Sequence, residues 1–329
     1  MTFSLTWCTD KEKWDRFVVT SPQGSVFCTT PFLDALDDEY DLLFVEDNGS
    51  PQIGAVVVKH DGKPVRAPYQ FNMYHGILFG ISKINKPYHS RIRWGLEVTD
   101  YLLSAMEKHY DRISFCLHYT VEDIRSIQWF HYHESQKGLF NVELYYTGIL
   151  DLQTINNFDE YLLAIRKVQR YEYRKALSEG LTIEVSDEIE ILNQLHKRTF
   201  ERQGIIRSPE EERLLLSISQ AAISKGFGQL LVCRNKSGLV IAATLFLYDT
   251  NCGYYLFGAS DPVFRNNFGG TYLLLENIRK CKEQGLSMVD FVGINSPNRG
   301  DFKTSFNAKP VPYFVTTWEK GMRSQGDNV

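Results

Sequence analysis

The sequence predicts an α/β protein of the α+β kind, built from two copies of one unit. Three observations lead there. The chain has 329 residues, more than one hydrophobic core usually organises, so two domains of roughly 150 residues are expected. The same order of elements can be read twice along it. The stretch from Tyr254 to Phe306 reads as strand, glycine turn, leucine-rich helix, strand and short basic turn.

The first copy follows a turn-rich opening. Leu42 to Glu46 and Gln52 to Lys59 alternate or run apolar across Gly-Ser-Pro turn chemistry and predict a hairpin. An extended stretch from Tyr69 to Phe79 precedes a helical pattern from Tyr88 to Tyr110. Arg112 to His118 then reads as a buried strand, Glu122 to His133 as a short helix and Phe140 to Leu152 as a strand. In the second copy, Gln229 to Arg234 and Val240 to Asp249 flank an N-K-S-G turn, and Gly253 to Gly258 is the third strand. A helix from Phe268 to Gln284 ends at Gly285, a residue suited to a C-cap. Its Leu274, Ile278 and Cys281 recur on one face for packing on a sheet. Strand Ser287 to Gly293, a helical turn over 302 to 306 and strand Val311 to Trp318 complete the unit. The expected boundary lies near Asp151 to Phe158, giving domains 1–155 and 156–329.

Composition narrows the classes. Hydrophobic residues make up 43% and net charge is −4, so no global field draws the chain to DNA, RNA or an anionic membrane. The longest apolar runs fall short of the roughly 20 residues of a membrane helix, and the first residues do not read as a secretory signal. Six cysteines are scattered without C-x-x-C pairs, which suits reduced thiols in a cytoplasmic protein and no metal site. His131 and His133, two apart on the expected short helix, point to different sides and do not form one.

Several residues carry potential chemistry. Gly269 and Gly270 open a helix whose bare amides can dock an anion, or simply permit a tight turn. Lys303 adds a movable positive charge. Lys167, Arg170 and Arg174 recur at helical spacing, with Ala164, Ile165, Val168 and Tyr171 on the other side. Arginine forks suit phosphate, although a solvated charged face has the same pattern. Asp290, at a strand end, can take a proton or bind loop amides. Tyr74 and His75 precede a glycine, and His75 titrates near neutrality. Tyr254, Tyr255 and Tyr313 can stack on a base or sugar, or fill the core.

The order Y-L-F-G-A-S, G-G-T, M-V-D-F-V-G-I and D-F-K-T-S-F resembles the FemAB family of aminoacyl transferases and its acetyltransferase-like relatives. So do R-K-V-Q-R-Y-E-Y-R-K-A-L-S-E-G-L, L-H-K-R-T-F-E-R-Q-G and, near the start, W-D-R-F-V-V-T-S-P-Q-G-S-V-F-C-T-T-P-F. The resemblance implies two tandem GNAT-like domains, each a mixed, mostly antiparallel sheet flanked by helices, with the acceptor on the N-terminal side and the donor on the C-terminal side. It implies acyl transfer to an amine on a cell-envelope glycan, nucleotide-sugar or peptide precursor, the acceptor being a small molecule or linked to lipid or nucleotide. The co-substrate is an acyl-CoA or aminoacyl-tRNA, with no tightly bound cofactor. By the same resemblance Lys303, after Phe302, holds the donor or stabilises the oxyanion, and Lys303→Ala is expected to fold normally and lose most turnover. Tyr74, Tyr255 and Phe302 would face substrate. Two departures stand out. N-N-F-G-G-T offers only Asn266, Gly269 and Thr271 where a CoA-binding turn has Arg or Gln followed by Gly-x-Gly or Gly-x-Ala, and the segment between Gly204 and Gly226 holds one modest helix in place of a long arm. Two other classes remain open, a non-catalytic nucleotide-ligand binder and an RNA binder using the basic helix near 166–175.

Overall fold

A computed structural model describes residues 2–321. The chain divides into two compact units. One runs to Tyr145 and resumes at Pro312; the other is Tyr146–Val311. The division therefore falls ten residues before the expected 155/156 boundary, and the final strand is shared out differently, its larger part going to the first unit.

In chain order the first unit contains β1 (Phe3–Trp7), α1 (Lys11–Thr20), α2 (Thr30–Leu33), β2 (Glu39–Asp47), β3 (Ser50–His60), β4 (Lys63–Pro64), β5 (Ile77–Phe79), α3 (Tyr88–Met106), β6 (Arg112–Cys116) and α4 (Arg125–Trp129). Strand β7 (Asn141–Asp151) passes into the second unit. There follow α5 (Phe158–Ala164), α6 (Lys167–Ser178), β8 (Thr182–Ser186), α7 (Ile189–Glu201), α8 (Pro209–Ser224), β9 (Gly228–Arg234), β10 (Val240–Tyr248), β11 (Cys252–Ser260), α9 (Gly269–Glu283), β12 (Met288–Asp290) and α10 (Pro297–Thr304). Strand β13 (Lys309–Glu319) leads back to the first unit.

The expected hairpin is β2–β3, paired antiparallel from Glu39↔Lys59 to Asp47↔Ser50. The sheet order β1-β2-β3-β4, with β5 also on β3, gives the first unit an antiparallel layer. Helix α3 lies against it and buries Trp94, Val98, Leu102, Leu103 and Met106 in one cluster with Leu43, Val45, Ile53 and Phe115. Each such side chain contributes about 1.5–3 kcal/mol of burial. Strand β6 pairs antiparallel with β13, Val315 opposite Cys116.

The opening segment is more ordered than its turn residues suggest. Asp10 caps α1 by accepting from the Lys13 amide at 2.9 Å, and Trp14 and Val18 face inward. The short helix expected over Glu122 to His133 is confined to α4, and of Tyr69 to Phe79 only β5 pairs as a strand.

The second unit contains β7-β12-β11-β10-β9-β8 in sheet order. All neighbours are antiparallel except β11 and β12. Helix α9 puts Leu274, Leu275, Ile278 and Cys281 against Phe246, Val289 and Phe291, the face its periodicity indicates. Helix α8 is the modest helix expected between Gly204 and Gly226, whereas α7 and strand β8 have no counterpart among the expected elements. Ser208 and Glu211 form a capping box at the start of α8. Among the described residues no helix is long and apolar enough to cross a membrane. All six cysteines are free.

Candidate functional site

Strands β11 and β12 pair in parallel at only three positions, Cys252↔Met288, Gly253↔Val289 and Tyr254↔Asp290. Beyond them β11 runs on to Ser260 with no further pairs to the segment after Asp290, where the Phe291 amide donates to the Gly148 carbonyl of β7 at 2.8 Å. We term the end of this parallel pairing the wedge. Within β11, Phe246 faces Tyr255 but Leu245 faces Phe257. Leu256 is thus an extra, unpaired residue, and a bulge of this kind redirects the neighbouring side chains.

The departure after β12 is held by two buried charged side chains. Val292 has φ 36° and Gly293 φ 61°; for a β-branched residue that conformation is strained. Asp290, fully buried, accepts the Val292 amide at 2.8 Å and the Thr147 hydroxyl from β7. Lys303 reaches back from α10 and donates to the carbonyls of Phe291 and Val292, each at 2.5 Å, and Gly293 at 3.1 Å. An ammonium has three N–H donors, and all three are occupied. The turn is therefore clamped from its amide and carbonyl sides.

Lys303 is neither movable nor exposed, contrary to its expected role as a mobile cation. Desolvation, and then the Arg299 cation, pull its pKa down to about 7, with Asp290 acting in the opposite direction. Its Nζ lies 5.5 Å from the Tyr255 ring centroid. Tyr255 is itself pushed up to about 12 by burial, against the pull of Arg299. A Cβ on Gly258 would fall 1.9 Å from the Tyr255 hydroxyl, so only glycine leaves room for that side chain.

Arg299 was not a sequence candidate, yet it acts electrostatically on Lys303, Tyr255 and His196. The signal was available: Arg299 and Lys303 are four apart and share a helix face. His196 on α7 is buried with Nδ1 unpartnered, and burial, Arg207 and Arg299 hold it near 3. It lies in the L-H-K-R-T-F-E-R-Q-G stretch that carries part of the resemblance, but nothing in that stretch marks it as buried.

The other candidates divide sharply. A Cβ on Gly269 would press on Ala242, Cys233 and Ile241 at 3.2–3.3 Å, and one on Gly270 would meet Ser260 Oγ at 2.7 Å. Both glycines therefore serve close helix-to-strand packing. Thr271 gives its hydroxyl to Glu172 at 2.5 Å. Phe302 packs edge-on to Phe306 at 5.0 Å. Tyr254 is buried and donates to Asp249.

On α6, Lys167 and Arg174 are exposed, and Arg170 donates to the Leu163 carbonyl at 3.1 Å. Val168 and Tyr171, expected on the packed side, are exposed as well; Gln169 and Ala176 are buried instead. Arg166 forms a two-pronged pair with Asp301 at 2.7 Å.

In the first unit Tyr74 is core, edge-on to Phe27, His118 and Tyr313. Tyr313 is buried there too. His75 is also buried, with Nδ1 3.3 Å from the Asn72 carbonyl and Nε2 unpartnered. Burial lowers its pKa to about 4, leaving it neutral and a poor base at pH 7. Neither lines an open wall in the way expected of a substrate site. His131 is in a turn, between Glu107 at 2.9 Å and the Gly138 carbonyl at 3.1 Å. Among the described residues no three His, Cys, Asp or Glu side chains gather as metal ligands. A cleft of about 940 Å³ in the first unit is lined by Trp7, Asp41, Lys59, Lys63, Arg112 and Glu319 among others, and most of its charges pair with one another, as Lys59–Asp41, Arg112–Glu319 and Lys320–Asp111.

Residues 164–304 match the family model described as "Acetyltransferase (GNAT) domain". The span contains the wedge, α10 and the Asp290–Lys303 clamp. No curated protein matches the sequence. Among solved structures, one titled "Crystal structure of FemX" superposes with a TM-score of 0.69 at 15% identity, covering 95% of this chain and 97% of that one. A conserved protein of unknown function from Bacteroides thetaiotaomicron gives 0.59 at 10% identity, covering 97% and 100%. A tandem GNAT protein from the clavulanic acid biosynthesis pathway gives 0.54 at 10% identity, covering 98% and 100%.

Proposed function

From the premise of a FemAB-like, tandem GNAT fold, we propose that this chain is an N-acyltransferase whose donor thioester lies in the wedge between β11 and β12. The observation that carries the reading is the clamped, strained turn after Asp290, at which the parallel pairing of β11 and β12 ends, next to Tyr255. An acyl-CoA is the donor this geometry supports best. Helices α7 and α8 pack on β9, β10 and β11 within the unit, and among the described residues of that unit no helix longer than the 16-residue α8 is present as an arm for a bulky donor.

In the reaction proposed, a neutral amine of the acceptor attacks the thioester carbonyl, a tetrahedral oxyanion forms, and its collapse expels the thiolate and leaves an amide. The amine's proton passes to the thiolate or to water. Lys303 supplies positive charge where the oxyanion develops, and its longest bond, to the Gly293 carbonyl, is the one a substrate oxygen displaces. Asp290 acts as a positioning residue through the Val292 amide. Lys167, Arg170 and Arg174 remain the proposed grip on donor or acceptor phosphates. The acceptor class is an amine on a cell-envelope glycan, nucleotide sugar or peptide precursor.

Thermal melting with acetyl-CoA tests the donor. Ligand at 100 times its dissociation constant adds about 2.7 kcal/mol, which raises Tm by several degrees in a domain of this size. An unchanged Tm with acetyl-CoA, followed by a rise or turnover with charged tRNA, would replace the donor but keep the reaction. Affinity for either without turnover on any amine would leave a binding module.

A further inference from the structure

The first unit carries a basic, apolar surface that the proposed chemistry does not use. Between Ile81 and Arg93 the sequence reads I-S-K-I-N-K-P-Y-H-S-R-I-R, with Lys83, Lys86, Arg91 and Arg93 and no acidic residue. That is a local charge of +4 on a chain whose net charge is −4. Among the described residues Lys83, Lys86 and Arg91 form no ion pair. Large apolar side chains stand out from the same segment: Ile81 is 48% exposed, Ile84 49% and Tyr88 67%.

The surface continues onto α4. Arg91 stacks over Tyr88 at 5.7 Å, and Arg125 stacks over the half-exposed Trp129 at 5.3 Å. Tyr88 and Arg125 line one shallow cleft of about 510 Å³, with Ile92 and Leu96 as its apolar floor and Arg93 beside them. Arg93 pairs with Glu97 and Arg125 with Asp123, and Glu97 and Asp100 also line the cleft. The cations of this face without an ion pair among the described residues are Lys83, Lys86 and Arg91, on the same segment as the exposed Ile81, Ile84 and Tyr88.

We propose that this face docks on an anionic lipid bilayer, with Ile81, Ile84, Tyr88 and Trp129 entering the headgroup boundary and Lys83, Lys86 and Arg91 meeting acidic headgroups. Tyr and Trp favour that boundary because each has an apolar ring and a polar edge. Basic residues at an anionic surface add attraction within a Debye length. The exposed isoleucines favour lipid over RNA. A nucleic acid offers planar bases for rings to stack on, whereas aliphatic tips gain most from hydrocarbon.

The test does not depend on turnover. Full-length protein is sedimented with vesicles of pure phosphatidylcholine and with vesicles containing about 30% phosphatidylglycerol, a composition in which each surface lysine contributes measurably. Wild type is expected to bind the anionic vesicles, more weakly at high salt, and to leave pure phosphatidylcholine in the supernatant. The double variant Lys83→Glu/Lys86→Glu should lose at least about tenfold in partitioning. Ile84→Ser/Tyr88→Ser should also bind less, with circular dichroism unchanged because all four side chains are partly or fully exposed. Equal binding to both vesicle types, or variants that partition like wild type, would overturn the proposal. So would a polyanionic RNA that binds through these residues while the vesicles do not.

Discussion

Replacing Lys303 by methionine keeps most of the side-chain volume and removes the ammonium. The fall in the Lys303 pKa from 10.5 to about 7 corresponds to about 5 kcal/mol against the charged form in the folded state. Because the folded value lies below the unfolded one, the folded protein binds fewer protons between them. Its stability therefore rises with pH across that window, and the cost of burying the ammonium is fully present below pH 7. Methionine has no such dependence. The variant also leaves three carbonyls without their donor, a loss of about 1–3 kcal/mol for each that water cannot reach. Urea unfolding of both proteins should show the wild type gaining about 2 kcal/mol on the variant between pH 7 and pH 9. At pH 7 turnover by a folded variant should drop about 10²–10³-fold. A stability difference independent of pH would refute the buried titration, and a folded variant with more than half the wild-type rate would remove Lys303 from the reaction.

Other changes probe neighbouring contacts. Asp290→Asn weakens the hold on the Val292 amide and the Thr147 hydroxyl, and should lower stability by about 1–3 kcal/mol in chemical denaturation; unchanged stability would show that the turn holds itself. Gly258→Ala displaces the Tyr255 hydroxyl, which it would otherwise approach to 1.9 Å, so it should abolish the rise in Tm given by acetyl-CoA, and a full rise would separate Tyr255 from the donor. Arg170→Ala/Arg174→Ala should raise KM, and the phosphate grip lies elsewhere if KM is unchanged for every active substrate. Burial holds His75 near 4 and His118 near 3. The unfolded chain takes up protons first as pH falls below about 6.5, so stability is lost on acidification. His118→Phe should flatten the decline of Tm between pH 6.5 and 4.5, and an unchanged decline would acquit that residue.

Much of the architecture was legible because apolar spacing directly reports burial. The β2–β3 hairpin, the inward face of α9 and the order of strands in both copies follow from period-two and helical patterns. What escaped is instructive. Helix α1 is short and rich in Lys, Glu and Asp, so its cap at Asp10 outweighs its weak apolar signal. Strand β8 lies at a sheet edge and needs few buried residues. On α6 the basic spacing was visible, but the apolar residues Val168 and Tyr171 face solvent, because periodicity alone does not say which stripe packs. The adjacent glycines read equally as an anion cradle or a tight turn; the close approach of the nearby strands to their missing Cβ atoms is a distance that only tertiary structure fixes. Lys303 was found by motif. Its burial, its three carbonyl partners and the company of Arg299 were not, since they depend on how α10 folds back over a turn ten residues earlier.

The route of the chain has a consequence for synthesis. Strand β6 lies in the first unit, yet its antiparallel partner is β13, which is made after the whole second unit. A nascent chain released as far as Val311 has residues 112–116 with one edge unpaired, and a bare edge of a buried strand invites pairing with other chains. The ordinary vectorial rule, in which the first domain finishes before the next begins, cannot hold here. The second unit can close on the ribosome while the first still waits for its last strand.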